Sequence, residues 1–243
     1  MLRLITCLVY MGGYLIFSIP KLSRMKKLPI SMPLEQKNFL VHETPKQWSK
    51  TIMAITGSEI EMEGIHLIPE GPVLFASNHE GNFDIPVLLG SIDKPFGFIS
   101  KIEIKKIPIL SSWMELIHCV FLDRKNRQKA AGSIMSGVEL LKEGHSLVIF
   151  PEGTRSKGGP IGLFKAGGFR LAMDSGVPIV PISIEGTSGV FEMNGRLVKP
   201  AKISVKISPP IYSQQYKGKD LIEIAGEVRD IIIKSRKEKR IAS

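Results

Sequence analysis

The sequence predicts an α/β fold: a mixed, largely parallel sheet flanked by helices, preceded by a helical membrane-docking unit. Three observations lead there. From Glu63 onward, short apolar runs alternate with stretches of helical apolar spacing. Three of the apolar runs end in polar clusters that carry His, Asp, Arg or Glu. The chain opens with an apolar segment, and no acidic residue precedes Glu35. The expected division is 1–57 for the docking unit and 58–243 for the α/β domain.

Leu4 to Ile19 is the apolar opening, 16 residues long. As a helix it reaches about 24 Å, short of the ~30 Å hydrocarbon core of a bilayer. Gly12-Gly13 weakens it and Pro20 ends it. Ser18-Ile19-Pro20 is a poor signal-peptide cleavage site. A segment lying in one leaflet is therefore favoured over a single span. The basic stretch Lys21 to Lys27 follows. Thr44-Pro45 reads as a helix start, Gly57 as its stop, and Trp48, Ile52 and Ile55 share the face between them. That face suits core packing, but its company of apolar and basic segments favours an interfacial helix.

In the second part, Val73 to Ala76 reads as a strand running into Ser77-Asn78-His79, with a helix starting near Ile85. Phe96 to Ile99 and Cys119 to Leu122 are further strands, the latter ending at Asp123-Arg124. Ala131, Ile134, Met135, Val138 and Leu141 mark a helix stopped by Gly144. Ser146 to Phe150 is a buried strand leading into the loop Pro151 to Arg155. A helix is expected over Leu163 to Ser175, strands over Pro178 to Ile184 and Lys202 to Ser208, and a last helix carrying Leu221, Ile224, Val228 and Ile231. In such a fold the strand ends gather at one edge, which places the site there.

Composition narrows the function. Among 243 residues, 43% hydrophobic and 23% charged is an ordinary globular balance, which excludes a disordered or low-complexity chain. Two cysteines, Cys7 and Cys119, exclude a disulfide framework and a four-cysteine zinc site. The net charge of +10 calls for a polyanionic partner. Aromatics at 7% and the lack of a nucleic-acid-binding pattern favour an anionic membrane surface over nucleic acid. A second basic run, Lys234 to Arg240, fits a membrane contact or a solvated end equally well. No G-x-S-x-G, P-loop, dinucleotide or H-E-x-x-H pattern occurs. Cys119 beside His118 reads as a structural strand cysteine rather than a nucleophile.

The polar clusters carry chemistry. His79 and Asp84 stand five apart across the turn residues Gly81 and Asn82. A carboxylate holding one imidazole nitrogen leaves the other free to take a hydroxyl proton. Spacing alone fits a loop histidine beside a helix cap at least as well. Arg124 and Arg155 have the planar fork that suits a phosphate, and Gly153-Thr154 adds donors ahead of the expected helix. Each arginine also fits a surface ion pair.

Together these clusters resemble the glycerolipid acyltransferase family, on its bacterial 1-acylglycerol-3-phosphate acyltransferase branch. Asn78-His79 with Asp84 is similar to the family's first motif, Phe121-Leu122-Asp123-Arg124 to its second, Phe150 to Ser156 to its third and Val177 to Pro181 to its fourth. Lys101, followed by Pro108, is similar to a basic position between the first two. The likeness spans about residues 60–210, and Glu-Gly-Thr-Arg favours the lysophosphatidate branch. Glu80-Gly81 departs from a common Gln-Ser, and Ser111-Ser112 from a common glycine.

The resemblance implies acyl transfer from an acyl thioester, of acyl carrier protein or coenzyme A, to the sn-2 hydroxyl of lysophosphatidic acid. It implies His79 as general base, Asp84 as its partner, and Lys101, Arg124, Glu152, Gly153, Thr154 and Arg155 around the phosphate. It implies no metal and no cofactor. The expected location is the cytoplasmic face of the cell membrane. Alternatives are the same chemistry on another lysophospholipid or on glycerol-3-phosphate, and a non-catalytic lipid-binding module.

Overall fold

The structure, a computed structural model, describes residues 1–242, with side chains to residue 236. Of the basic run Lys234 to Arg240, residues 237–240 therefore lie outside the described side chains. Three helices open the chain: α1 (Leu2–Phe17), α2 (Ile19–Met25) and α3 (Leu34–Thr56). Then come β1 (Glu59–Glu63), β2 (Leu74–Ser77), α4 (Asp84–Ser91), β3 (Gly97–Lys101), α5 (Pro108–Leu116), β4 (Val120–Leu122) and α6 (Arg127–Lys142). The chain continues through β5 (Leu147–Ile149), α7 (Arg170–Ser175), β6 (Ile179–Glu185), β7 (Lys202–Ile207), α8 (Ser213–Tyr216) and α9 (Leu221–Ala242).

The sheet has seven strands in the order β1-β7-β6-β2-β5-β3-β4. The block β6-β2-β5-β3-β4 is parallel throughout, while β7 pairs antiparallel with β6. The mixed, largely parallel sheet is thus as expected. The carboxyl ends of β2, β3, β4, β5 and β6 all lie on one edge.

Residue alternation within the strands builds two cores. Phe75, Val148, Val180 and Ile182 point to the face covered by α1, α3 and α4. Leu74, Ala76, Leu147, Ile149 and Ile179 point to the face covered by α6, α7 and α9. Burial on both faces is why these strands read as continuous apolar runs.

Several expectations are corrected. The helix predicted from Thr44-Pro45 starts at Leu34, and Pro45 sits inside it. Interior proline costs roughly 3 kcal/mol, which burial of Val41, Ile52 and Met53 against the sheet offsets. Gly57 does end α3, in the left-handed conformation (φ 70°). The Trp48, Ile52, Ile55 face is core: Ile52 is buried in the first core and the other two pack against it. The helix predicted over Leu163 to Ser175 is only a 3-10 turn, Ala166–Phe169, followed by the short α7. β1 and α5 were not foreseen. β1 (Glu-Ile-Glu-Met-Glu) is only half-buried, with three acidic residues in five.

The end of α3 coincides with the expected boundary at 57, yet Cys7, Val41, Ile52 and Met53 share one core with the sheet. Among the described residues, no single helix is long and apolar enough to cross a membrane; α1 and α2 together are, but they bend by 48°. The break at Ser18 is tied to the fold, since Trp113 Nε1 of α5 donates to Ser18 Oγ at 2.8 Å.

Candidate active site

β2 delivers Asn78 and His79 to the carboxyl edge. Asn78 is buried and exchanges two hydrogen bonds with the backbone of Ile184 on β6, at 2.8 and 2.9 Å. This pins the strand end from which His79 projects. The chain then turns through Gly81 and Asn82 into α4, whose first residue is Asp84. The turn solves the five-residue spacing: His79 Nδ1 lies 2.6 Å from Asp84 Oδ2. The same oxygen accepts the N–H groups of Glu80 (2.7 Å) and Gly81 (3.1 Å). Asp84 Oδ1 takes a short hydrogen bond from Thr187 Oγ1, beyond the end of β6. The Asp84 side chain is fully buried and the His79 side chain is 19% exposed. With Nδ1 facing the carboxylate, Nε2 has no hydrogen-bond partner among the described residues. The Phe150 ring stacks on the imidazole at 4.2 Å.

The loop after β5 closes on this turn. Glu152 is buried, and its two oxygens accept the N–H groups of His79 (2.7 Å) and Gly162 (2.9 Å). It grips backbone, whereas the sequence placed it at a phosphate. Ser156 N donates to the His79 carbonyl at 2.8 Å and Lys157 N to that of Glu80 at 2.9 Å. Gly153 adopts φ 72° to make the turn, and its N–H is spent on the Phe150 carbonyl at 3.0 Å. No helix N-terminus meets the loop as expected, because the chain after Arg155 makes only the 3-10 turn Ala166–Phe169 before α7 starts at Arg170.

The basic residues form a looser layer. Arg124, after β4, is exposed and donates to the Gly153 carbonyl, joining the second cluster to the third. Arg155 donates to Asn82 Oδ1 and to Glu192 Oε1, the latter at 3.1 Å. Lys101 ends β3 beside Leu122 of β4 and is exposed, as is Thr154. All three clusters are thus brought to one edge. Cys119 takes no part: burial pushes its thiol up to about 12, and its sulfur accepts the Phe98 N–H at 3.2 Å.

Sequence reasoning missed Lys165, Thr187, Ser188 and Glu192, and read Asn82 only as a turn residue. Lys165 lies so near Gly153 that an added Cβ would stand 3.0 Å from its Nζ. An added Cβ at Gly81 would stand 2.8 Å from a Glu192 carboxylate oxygen, so glycine there admits the acid. Only the Gly81 and Gly153 turns hinted at such close approaches.

Behind the edge lies an apolar cavity of about 250 Å³ between the N-terminal helices and the sheet. Tyr14, Trp48, Ile85, Phe98, Trp113 and Met114 are among its walls. Phe98 stacks with Phe150 at 6.3 Å, so the cavity wall and the histidine are joined through one ring.

The family model described as Acyltransferase matches residues 59–185. A probable 1-acyl-sn-glycerol-3-phosphate acyltransferase of Mycoplasma genitalium is 35% identical over 71% of this chain and 64% of its own length. The 1-acyl-sn-glycerol-3-phosphate acyltransferase of Escherichia coli is 34% identical over 67% of this chain and 66% of its own. A chloroplastic one from Arabidopsis thaliana is 36% identical over 72% and 49%. The chain thus spans about two thirds of the length of the bacterial relatives and about half of the plant one. The crystal structure of the 1-acyl-sn-glycerophosphate acyltransferase of Thermotoga maritima superposes with a TM-score of 0.79 at 26% identity, covering 98% of this chain and 94% of that one. The fold agrees with the solved structure, and the chain belongs to the Acyltransferase family.

Proposed function

We propose that this chain transfers a fatty acyl group from an acyl thioester to the sn-2 hydroxyl of 1-acylglycerol-3-phosphate, making phosphatidic acid. The observation that carries the reading is the His79–Asp84 contact at 2.6 Å, with the other imidazole nitrogen open to the edge. His79 Nε2 takes the proton of the acceptor hydroxyl as its oxygen attacks the thioester carbonyl. The buried Asp84 carboxylate stabilises the imidazolium and fixes its ring. When the C–S bond breaks, that proton goes to the leaving thiolate. Glu152 is a positioning residue that holds the His79 backbone.

Arg124, Arg155 and Lys101 bind the acceptor phosphate in this reading, which sets the hydroxyl beside His79. Arg124 uses one nitrogen on Gly153 and keeps further donors for an anion. Arg155 trades its Glu192 contact for phosphate. The apolar cavity takes acyl chain. The donor is a thioester of acyl carrier protein or coenzyme A, and the positive charge of the chain favours either.

The site works at the cytoplasmic face of the cell membrane in this proposal. Support comes from α1, where Leu2, Ile5, Leu8, Val9, Ile16 and Phe17 are exposed, next to the basic residues of α2. The bend at Ser18 suits a helix pair lying in one leaflet. Purified protein given lysophosphatidate and acyl-CoA or acyl-carrier protein should form phosphatidate. Equal use of monoacylglycerol, or no product, would reject the assignment.

A further inference from the structure

Glu80 is the one acid of the first cluster that the proposed reaction leaves unused, and it is buried. Its Oε1 accepts Ser188 Oγ–H at 2.9 Å, and its Oε2 accepts the Thr187 N–H at 3.1 Å. Thr187 Oγ1 lies 3.3 Å from Oε2 and also in short contact with Asp84 Oδ1. One hydroxyl, with one hydrogen, therefore stands between two buried carboxyl groups.

Counting protons decides the arrangement. Thr187 Oγ1 is the hydrogen-bond donor at Asp84 Oδ1, whereas Glu80 Oε2 also has the Thr187 N–H, so the Thr187 hydrogen is assigned to Asp84. If Glu80 were ionised, its Oε2 and the Thr187 oxygen would then face each other as two acceptors, in a site closed to water. Oε2 would keep the Thr187 N–H, but its remaining lone pair and that of Thr187 Oγ1 would face each other at 3.3 Å with no hydrogen between them, a repulsive contact in a buried site. A hydrogen on Oε2 resolves the conflict, because Oε2–H donates to Thr187 Oγ1. It also leaves one negative charge in the pocket instead of two.

We propose that Glu80 is held as a neutral carboxylic acid and, through Thr187, locks Asp84 against His79. The donor chain runs from Glu80 to Thr187 to Asp84, with His79 donating to Asp84 from the other side. Glu80 is a positioning residue, and the inference rests on His79 being the base. An ionised Glu80 would draw the Thr187 hydrogen to itself and release Asp84 Oδ1. Activity is thus present with Glu80 protonated and falls as pH rises through its titration.

The surroundings favour the neutral form. Burial raises the affinity of Glu80 for its proton, and the Asp84 charge acts the same way. The Ser188 hydroxyl, the Arg236 charge and the Gly186 backbone N–H act in the opposite direction. Arg236, on α9, is 3.2 Å from Glu185 at the end of β6, which takes up part of its charge. Glu192 approaches across Gly81 and is engaged with Arg155. On the loop after β5, Lys157 meets Glu80 through its backbone, with its side chain exposed.

The test combines kinetics with infrared spectroscopy of the full-length protein. Glu80→Ala should lower kcat/KM about 10- to 100-fold, the range for a buried network left unpaired, and Glu80→Gln should restore most of it. Wild type should lose activity on the alkaline side through a titration that Glu80→Gln lacks. Wild type labelled with ¹³C-glutamate should show a label-shifted protonated-carboxyl band at neutral pH, absent from Glu80→Gln. Absence of that band, or a Glu80→Gln variant as impaired as Glu80→Ala, overturns the proposal. If wild type transfers no acyl group to lysophosphatidate, the functional reading fails, while the band still decides the state of Glu80.

Discussion

Histidines stand at both ends of the parallel strands, and the two ends treat them oppositely. At the carboxyl edge, His79 has a buried carboxylate on one nitrogen and open space on the other. At the amino edge, the rings of His118 and His145 lie 3.6 Å apart, tilted by 33°, just before β4 and β5, and His42 of α3 is buried edge-on against Phe96. No carboxylate is bonded to these three among the described residues; Asn38 faces His145 Nδ1 at 3.2 Å. Burial pushes His42 and His118 down to about 4, and His145 downward. A histidine becomes a candidate base through an acid partner and one open face. Buried without an acid, it becomes a neutral packing group that resists protonation.

The largest expected effect breaks this comparison at its active end. His79→Ala should lower kcat by about 10²- to 10⁴-fold, with vesicle binding retained, and Asp84→Asn should cause a loss of the same order. His145→Asn, at the other end, should leave turnover near wild type. Wild-type kcat in His79→Ala would end the base assignment.

Next come the arginines, which are held loosely where Asp84 is held from several sides. Arg124→Ala and Arg155→Ala should each lose a charge-assisted contact of roughly 1.5–3 kcal/mol, or about 10- to 150-fold in kcat/KM for lysophosphatidate. Use of monoacylglycerol should change little. Unchanged selectivity between the two acceptors would place phosphate recognition elsewhere.

The inactive end should show itself as acid sensitivity. His42 binds its proton less readily folded than unfolded, so stability is full above the ordinary histidine pKa of about 6.5 and is lost as pH falls towards 4. Between pH 7 and pH 5 its share is about 2 kcal/mol, and His42→Phe should flatten that decline in urea titrations. An equal slope in the variant would remove His42 from the account.

The smallest effect concerns the helix over the active end. Ile5→Asp and Val9→Asp should weaken binding to anionic vesicles without unfolding the protein, since both side chains are exposed. Salt should weaken the remaining attraction, at about 1 kcal/mol per basic residue near the surface. Binding equal to wild type at high salt would exclude α1 as the docking face.

Much of this was legible beforehand. The strands β2, β3, β4 and β5 could be read, each start placed one residue early, because strands buried on both faces are continuous apolar runs. The His79–Asp84 pair was legible as spacing plus turn residues. The role of Trp48 and Ile52 was not, because a helix stripe has the same period against a sheet as against a bilayer. Nor was the start of α3, where packing overrides the signal of Pro45. Glu152 misled because a carboxylate beside arginine, glycine and threonine gives no sign that two backbone N–H groups claim it.

Local order was thus set by the sequence itself: apolar periodicity chose strand or helix, and polar residues such as His79, Arg124 and Glu152 follow where the apolar runs stop. Tertiary structure decided which of these ends meet. The sheet order puts β2 between β6 and β5, and only that adjacency brings Glu152 to a residue 73 positions away and Thr187 to Asp84 across 103. Hydrogen bonds act over about 3 Å, while sequence patterns report only neighbours along the chain. Partners that meet across the sheet are therefore invisible until the strands are laid side by side.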